Sequence, residues 1–233
     1  MKAYKINSTE VNDLEAVKRD SLGGYPILAE DQEWPTCKIC QAQMVLFLQF
    51  DIRAEFELPF HPNSHLSIFM CPEHNDIPDL GDGSGKLAER YWAENEGHYC
   101  LILNPPNIKE RVFDTREPHL NYCSLDMEEI EEEIEGTGMS HGKPYDIGTQ
   151  GFKIGGIPSW AQDPANNTCS CGAVMQFIGQ IPENFGFVKT PEAKSQPNSI
   201  SNNEYGLFLG NEVYIFGCTK QCNPFAVWVE VQN

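Results

Sequence analysis

Seven of the nine cysteines stand in clusters whose spacing could close on a metal ion. Cys37-x2-Cys40 is followed, after residues 41–70, by Cys71-x2-His74; Cys169-x-Cys171 is followed, after residues 172–217, by Cys218-x3-Cys222. A C-x-x-C turn aims two thiolates at one point, and Zn²⁺ accepts a Cys₃His or Cys₄ set tetrahedrally with Zn–S near ~2.3 Å. Four protein ligands leave no open position, so each ion would be structural rather than catalytic. Two structural Zn²⁺ are therefore expected, at Cys37, Cys40, Cys71 and His74 and at Cys169, Cys171, Cys218 and Cys222. The competing reading of the first set is buried unpaired cysteines with His74 on the surface. The C-x-C and C-x3-C spacings of the second set also suit a redox-labile thiol cluster or packing cysteines. Of the two cysteines left over, Cys100 lies in an apolar run and reads as core. Nothing beside Cys123 marks it as a nucleophile.

Each cluster needs a turn to hold it and strands to bring its two ligand pairs together, and the sequence supplies both twice. Cys40, Met44 and Gln49 return as Cys171, Met175 and Gln180 at a constant offset of 131, and Gly23-Gly24-Tyr25-Pro26 returns as Gly155-Gly156-Ile157-Pro158 at 132. This reads as an internal duplication, each copy a cysteine knuckle leading into a buried strand. The expected organisation is an N-terminal segment over 1–21 with a short helix (Val11, Leu14 and Val17), a first β-rich repeat over 22–123, an acidic helix and connection over 124–150, and a second β-rich repeat over 151–233.

Residues 44–52 form a nearly continuous apolar run that suits a strand buried on both faces. Further strands are expected over 66–70, 98–103 and 225–231, and a pair over 206–217 around Gly210-Asn211. A short helix is expected over 87–95, carrying Tyr91 and Trp92, and Trp34 should cover the core's edge by plain packing. A helix is also expected over 124–136, where Met127, Ile130 and Ile134 share a face, Asp126 and Glu129 fit a capping box and Gly136 fits the stop. Residues 137–150 read as a Gly-rich connection and 189–204 as a polar loop. The class is mainly β (α+β): two tandem pseudo-repeats of mostly antiparallel strands with zinc knuckles and a few short helices.

The chain of 233 residues is 40% hydrophobic and 11% aromatic, a globular composition long enough to bury a real core in one domain or two small lobes. No apolar run reaches the roughly 18 residues of a membrane span, and the first twenty residues hold no apolar signal region, so a cytoplasmic protein is expected. In a reducing compartment close cysteine pairs point to metal before disulfide. The net charge is −18, repelling phosphate backbones and anionic membranes and attracting basic proteins or peptides; the plain alternative is solubility. Seven of the ten residues from Asp126 to Glu135 are acidic, a run that reads as a solvated face.

Other chemistry is missing its parts. The Gly81–Lys86 run lacks the glycine and hydroxyl of a phosphate loop, since Leu80 and Leu87 stand in those places. Asp76, Asp79 and Asp82 lack calcium-loop spacing, and His61 and His65 read as ordinary surface residues. No basic–aromatic interleaving points to nucleic acid.

Together these residues resemble a known family. GGYP, WP, CKIC and FLQ in the first half, with IGGIPSW, CSCGAVMQFIGQI, LFLGNEVYIFGC and FAVWVEV in the second, resemble the bacterial YwqG-like proteins of unknown function over roughly 22–74 and 151–233. The first copy, through CPEH, is also similar to the eukaryotic programmed cell death protein 2 family, some of whose members chaperone a basic ribosomal protein. The resemblance implies a duplicated β-rich fold and a binding role. The acidic segment between the copies and the long insert between Gly24 and Trp34 depart from the family pattern.

The expected function is a zinc-binding, non-enzymatic scaffold with an acidic surface for a basic protein partner, immunity-like or chaperone-like. One alternative is an enzyme with a site in a cleft between the repeats, lined by Tyr91, Trp92, Glu94, His98 and the Asp76–Asp82 loop. Another is a zinc or thiol redox switch at Cys169, Cys171, Cys218 and Cys222.

Overall fold

The apolar runs of both halves enter one antiparallel sheet. A computed structural model of the chain describes residues 1–11, 18–77, 86–87, 97–114 and 118–233. Its strands are β1 (Lys2–Glu10), β2 (Ser21–Leu22), β3 (Ile27–Ala29), β4 (Val45–Asp51), β5 (His65–Met70), β6 (Tyr99–Asn104), β7 (Glu110–Val112) and β8 (Cys123–Glu131). They continue as β9 (Gly136–Ser140), β10 (Lys143–Ile147), β11 (Lys153–Gly155), β12 (Met175–Ile181), β13 (Phe187–Val188), β14 (Glu204–Tyr205), β15 (Glu212–Cys218) and β16 (Val227–Gln232). The protein is mainly β, 43% strand and 3% helix.

Ten strands form the main sheet in the order β16-β15-β12-β11-β1-β8-β2-β4-β5-β6. β1 and β8 are its centre, paired over nine positions from Lys2 opposite Glu131 to Glu10 opposite Cys123. On one side β1 passes to β11, from the second half; on the other β8 passes to β2, from the first. The end strands curl back toward each other, and the Leu103 amide on β6 donates to Pro224 O beside β16 at 2.7 Å, so the sheet is nearly closed. Its interior holds the main core, with Phe47, Phe50, Leu66 and Ile68 from one half and Ile178, Phe187, Val213 and Val229 from the other. Two smaller apolar clusters lie apart from it. Leu28, Met44, Leu46, Phe69 and Ile102 surround Cys37 and Cys71, whereas Met175, Phe177, Phe216 and Trp228 surround Cys169 and Cys218. Thus β4 and β12 are buried on both faces along most of their length, β12 being interrupted by the exposed Gln176, as their largely apolar sequences require.

Several sequence expectations are corrected. The helix expected over 124–136 is β8 followed by the start of the β9–β10 hairpin, and Ile134 is 53% exposed. A second periodicity runs through the same residues: Cys123, Leu125 and Met127 alternate, and that face packs against the main core. Nine backbone pairs with β1 outweigh helix propensity here. The connection expected over 137–150 is the β9–β10 hairpin. Residues 2–10 of the segment read as holding a helix form β1, while Leu14 and Val17 lie outside the described residues, as do 88–95 of the helix expected over 87–95. Over 206–217 only β15 is a strand; Phe208–Gly210 is a 3-10 turn, ending on Gly210 at φ 78°. With Ala54–Phe56 it makes two such turns among the described residues. His65, expected on the surface, is 1% exposed because it opens β5 between Asp51 and Gln49.

Candidate metal centres

The two cysteine clusters close, each from two turns at the ends of adjacent strands. In the first, Thr36 bridges Gln43, the Cys37 amide donates to Ala42 O at 2.8 Å and the Met44 amide to Pro35 O at 2.9 Å. In the second, Thr168 bridges Val174, the Cys169 amide donates to Ala173 O at 2.8 Å and the Met175 amide to Asn167 O at 3.0 Å. Each turn reverses through a left-handed residue directly after its second cysteine, Gln41 at φ 62° and Gly172 at φ 82°. The one-residue difference between C-x-x-C and C-x-C is therefore absorbed between the cysteines, leaving the flanking ladder alike. The remaining ligands follow β5 and β15. Cys71 is anchored by its amide to His98 O at 2.7 Å, and Cys218 by its amide to Ala226 O at 3.0 Å.

In each cluster all four donor atoms lie within 4.8 Å of one another. In the first, Cys40 Sγ is 3.5 Å from Cys71 Sγ, and His74 Nδ1 is 3.4 Å from Cys71 Sγ and 3.7 Å from Cys37 Sγ. In the second, Cys169 Sγ is 3.5 Å from Cys222 Sγ, and Cys171 Sγ 3.6 Å from Cys218 Sγ. A tetrahedral ion with bonds near ~2.3 Å has sulfur–sulfur edges of about 3.8 Å, so these separations suit one shared ion. All nine cysteines are free thiols. Both clusters can thus hold a metal ion such as zinc, and all eight residues singled out by spacing are brought together.

The electrostatics of the clusters match this chemistry. An amide N–H of Ala42 holds the Cys40 thiol below its ordinary value, and that of Ala173 holds Cys171 down to about 7. Burial instead pushes Cys71 up to about 12 and raises Cys169. Without a cation Cys71 and Cys169 stay neutral. A divalent ion supplies the charge that turns every cysteine of a cluster into a thiolate ligand, so binding releases protons.

Cys100 is buried in the apolar cluster around the first centre, as expected, and Cys123 is half-buried on β8. Trp34 packs at the edge of that cluster and donates Nε1–H to Met44 O at 2.7 Å. Of the residues expected to line a catalytic cleft, Tyr91, Trp92, Glu94 and the loop beyond Ile77 lie outside the described residues; His98 Nε2 is 3.1 Å from Asp76 O. Sequence reading missed a cavity of about 430 Å³ beside the first centre, whose lining includes Trp34, Glu73, His119, Glu192 and Tyr205. These positions are scattered over the chain with no common spacing to betray them. Among the described residues no helix is long and apolar enough to cross a membrane. No protein-family model matches the chain, and neither does any curated protein.

Proposed function

We propose that this protein is a duplicated β scaffold, stapled by two structural zinc ions, that binds a basic protein or peptide and catalyses no reaction. The observation that carries the reading is the pair of compact clusters, each offering four protein donors within 4.8 Å. An ion held by four protein ligands has no position left for substrate or activated water. The net charge of −18 supports the choice of partner, because a basic segment is drawn to such a surface and nucleic acid is repelled. Zinc fits better than hard ions such as magnesium or calcium, because the sets are all thiolate and imidazole with no oxygen donor. Thiols kept free for metal suit a reducing, cytoplasmic location.

Duplication is supported by detail beyond the cysteines. Gln49 Oε1 accepts the Ile27 amide at 3.1 Å, and Gln180 Oε1 accepts the Ser159 amide at 3.0 Å. Gly24 and Gly156 share left-handed φ values of 77° and 72°. The ladder of β4 on β5 slips between Leu46 and Leu48, and that of β12 on β15 between Phe177 and Gly179, an offset of 131 in each case. In this reading the copies are β1-β2-β4-β5-β6 and β8-β11-β12-β15-β16, and each lends its first strand to the other. The resemblance to the YwqG-like and programmed cell death protein 2 families agrees with such a scaffold and with a binding role.

The test is elemental analysis of freshly purified, reduced protein, followed by capture of basic partners at low and high salt. Two zinc equivalents per chain and a salt-sensitive basic partner are expected. Protein without zinc would remove the basis of the reading, and zinc-loaded protein that retains no basic partner at low salt would remove its binding half. A redox role for the second centre has one observation in its favour: Cys171 and Cys222 are both exposed.

A further inference from the structure

The cavity beside the first metal centre draws its walls from both halves of the chain. Its floor is apolar and buried, made by Leu46, Leu120 and Tyr205. Trp34 forms one wall, its ring fixed by the bond from Nε1–H to Met44 O. Glu73, from the turn that carries Cys71 and His74, and Glu192, from the loop before β14, supply carboxylates. Neither carboxylate is hydrogen-bonded or ion-paired among the described residues. His119 lines the same space, and burial holds its imidazole below the usual value, so it stays neutral at neutral pH and does not offset them. Among the described residues of the lining Lys194 is the one charged amine, set against two carboxylates. A neighbouring hollow of about 480 Å³ shares Pro118, His119, Glu192 and Ala193, which places Glu192 between two recesses.

An apolar floor under an aromatic wall and unpaired carboxylates matches a lysine or arginine side chain, whose aliphatic stem prefers apolar contact and whose head prefers carboxylates and ring faces. A small anion would meet the Lys194 amine but also both carboxylates. We propose that this cavity seats a basic side chain of a bound peptide, with Glu73 and Glu192 holding its cationic head and Trp34 its stem, while the adjoining hollow takes a second basic residue. The inference rests on the basic-partner reading and adds the place of contact. Because Glu73 stands between Cys71 and His74, the first metal ion would also fix one wall of the site.

The experiment uses the full zinc-loaded chain and a fluorescein-labelled nona-arginine peptide, followed by anisotropy at about 50 and 150 mM salt. The pair Glu73→Gln, Glu192→Gln is compared with Glu128→Gln, Glu131→Gln, which removes two exposed charges from β8 and leaves the same net charge. The expected result is about tenfold weaker binding for the cavity pair and less than about twofold for the β8 pair. Zinc content and melting temperature of both variants should match the parent, so that any loss is one of contact. Equal weakening in both variants would overturn the cavity site while leaving the basic-partner reading standing. Failure of the parent protein to bind the peptide at either salt would overturn the basic-partner reading itself, and the site with it.

Discussion

The two candidate metal centres occupy matching places on one sheet, yet differ in donor set and in how many of their cysteines are exposed. The first combines three thiols with His74, and of its cysteines only Cys40 is exposed. The second is all thiol, with Cys171 and Cys222 both exposed. A Zn²⁺ with three thiolates and an imidazole carries a net charge of −1, and with four thiolates −2. The second centre is thus more electron-rich and more accessible, while the first is better shielded and abuts the cavity. With zinc in both, as proposed, one backbone frame would serve two ends: a staple that also supports the proposed binding wall, and a staple open to oxidants.

The largest expected effects come from breaking either centre. Cys40→Ser and Cys171→Ser remove equivalent ligands from the equivalent knuckles. Each should lower zinc from two equivalents to one and cost about 3 kcal/mol or more, because metal binding free energy is folding free energy. For a chain of this size that is a fall in melting temperature of about 6–12 °C. Elemental analysis and a melting curve check both numbers, and an unchanged melting temperature in either variant would refute a structural ion at that centre. Oxidation should then separate the centres. Two zinc-bound thiolates, one hydrogen peroxide and two protons give one disulfide and two waters, and the ion is released. The sulfurs of Cys169 and Cys222, at 3.5 Å, are placed for this, and Cys222 is open to attack. Zinc appearing on a chromogenic chelator should therefore come first from the second centre, at least about threefold faster, which Cys171→Ser would abolish. Faster release from the first centre would reverse the comparison.

The clustering of these eight residues was legible because a candidate metal site constrains residue type and local spacing together. Cys37, Cys40, Cys71 and His74 declare themselves within two short turns, and only the pairing of those turns had to be inferred. The strands over 45–51, 65–70 and 99–104 were legible because burial on both faces demands continuous apolar sequence. The segment 123–131 was misread because glutamates favour helix and Met127, Ile130 and Ile134 mimic helical spacing. What decides it is β1, more than a hundred residues away, where Tyr4 Oη donates to Glu129 at 3.0 Å and Lys2 lies 3.4 Å from the same carboxylate. Likewise Glu132 looks like one more solvated acid, but it is buried in a salt bridge with Lys153 and accepts the amides of Thr149 and Ile157. Long-range pairing of this kind leaves no local signature.

The smallest expected effect concerns two buried groups at one strand position. His65 and Glu212 each stand six residues before a ligand, Cys71 or Cys218, and each reaches the buried glutamine of the neighbouring strand at 3.3 Å. In the first half His65 Nδ1 meets Asp51 at 2.9 Å and Arg19 clasps the same carboxylate. Burial pushes the Asp51 carboxyl up, but the bonds from His65 and Arg19 outweigh it and hold it below the usual carboxylate range. In the second half Ser159 donates to Glu212, yet burial dominates and raises that carboxyl. The signs of the linkage are opposite. The depressed Asp51 contributes stability that is present above its unfolded value, about 4, and lost as pH falls through its folded value. The raised Glu212 contributes stability that is present below its unfolded value and lost as pH rises through its folded value. Asp51→Asn should therefore cost about 1–3 kcal/mol at pH 7 in urea unfolding, since it leaves Arg19 and His65 without their charged acceptor. Glu212→Gln should fall within about 0.5 kcal/mol of the parent at pH 7 and flatten any decline in parent stability as pH rises above about 4.3, the ordinary glutamate value. If Glu212→Gln proved as costly at pH 7 as Asp51→Asn, the Glu212 carboxylate would be a stabilising charge, and the two halves would solve this position by the same electrostatics rather than by opposite ones.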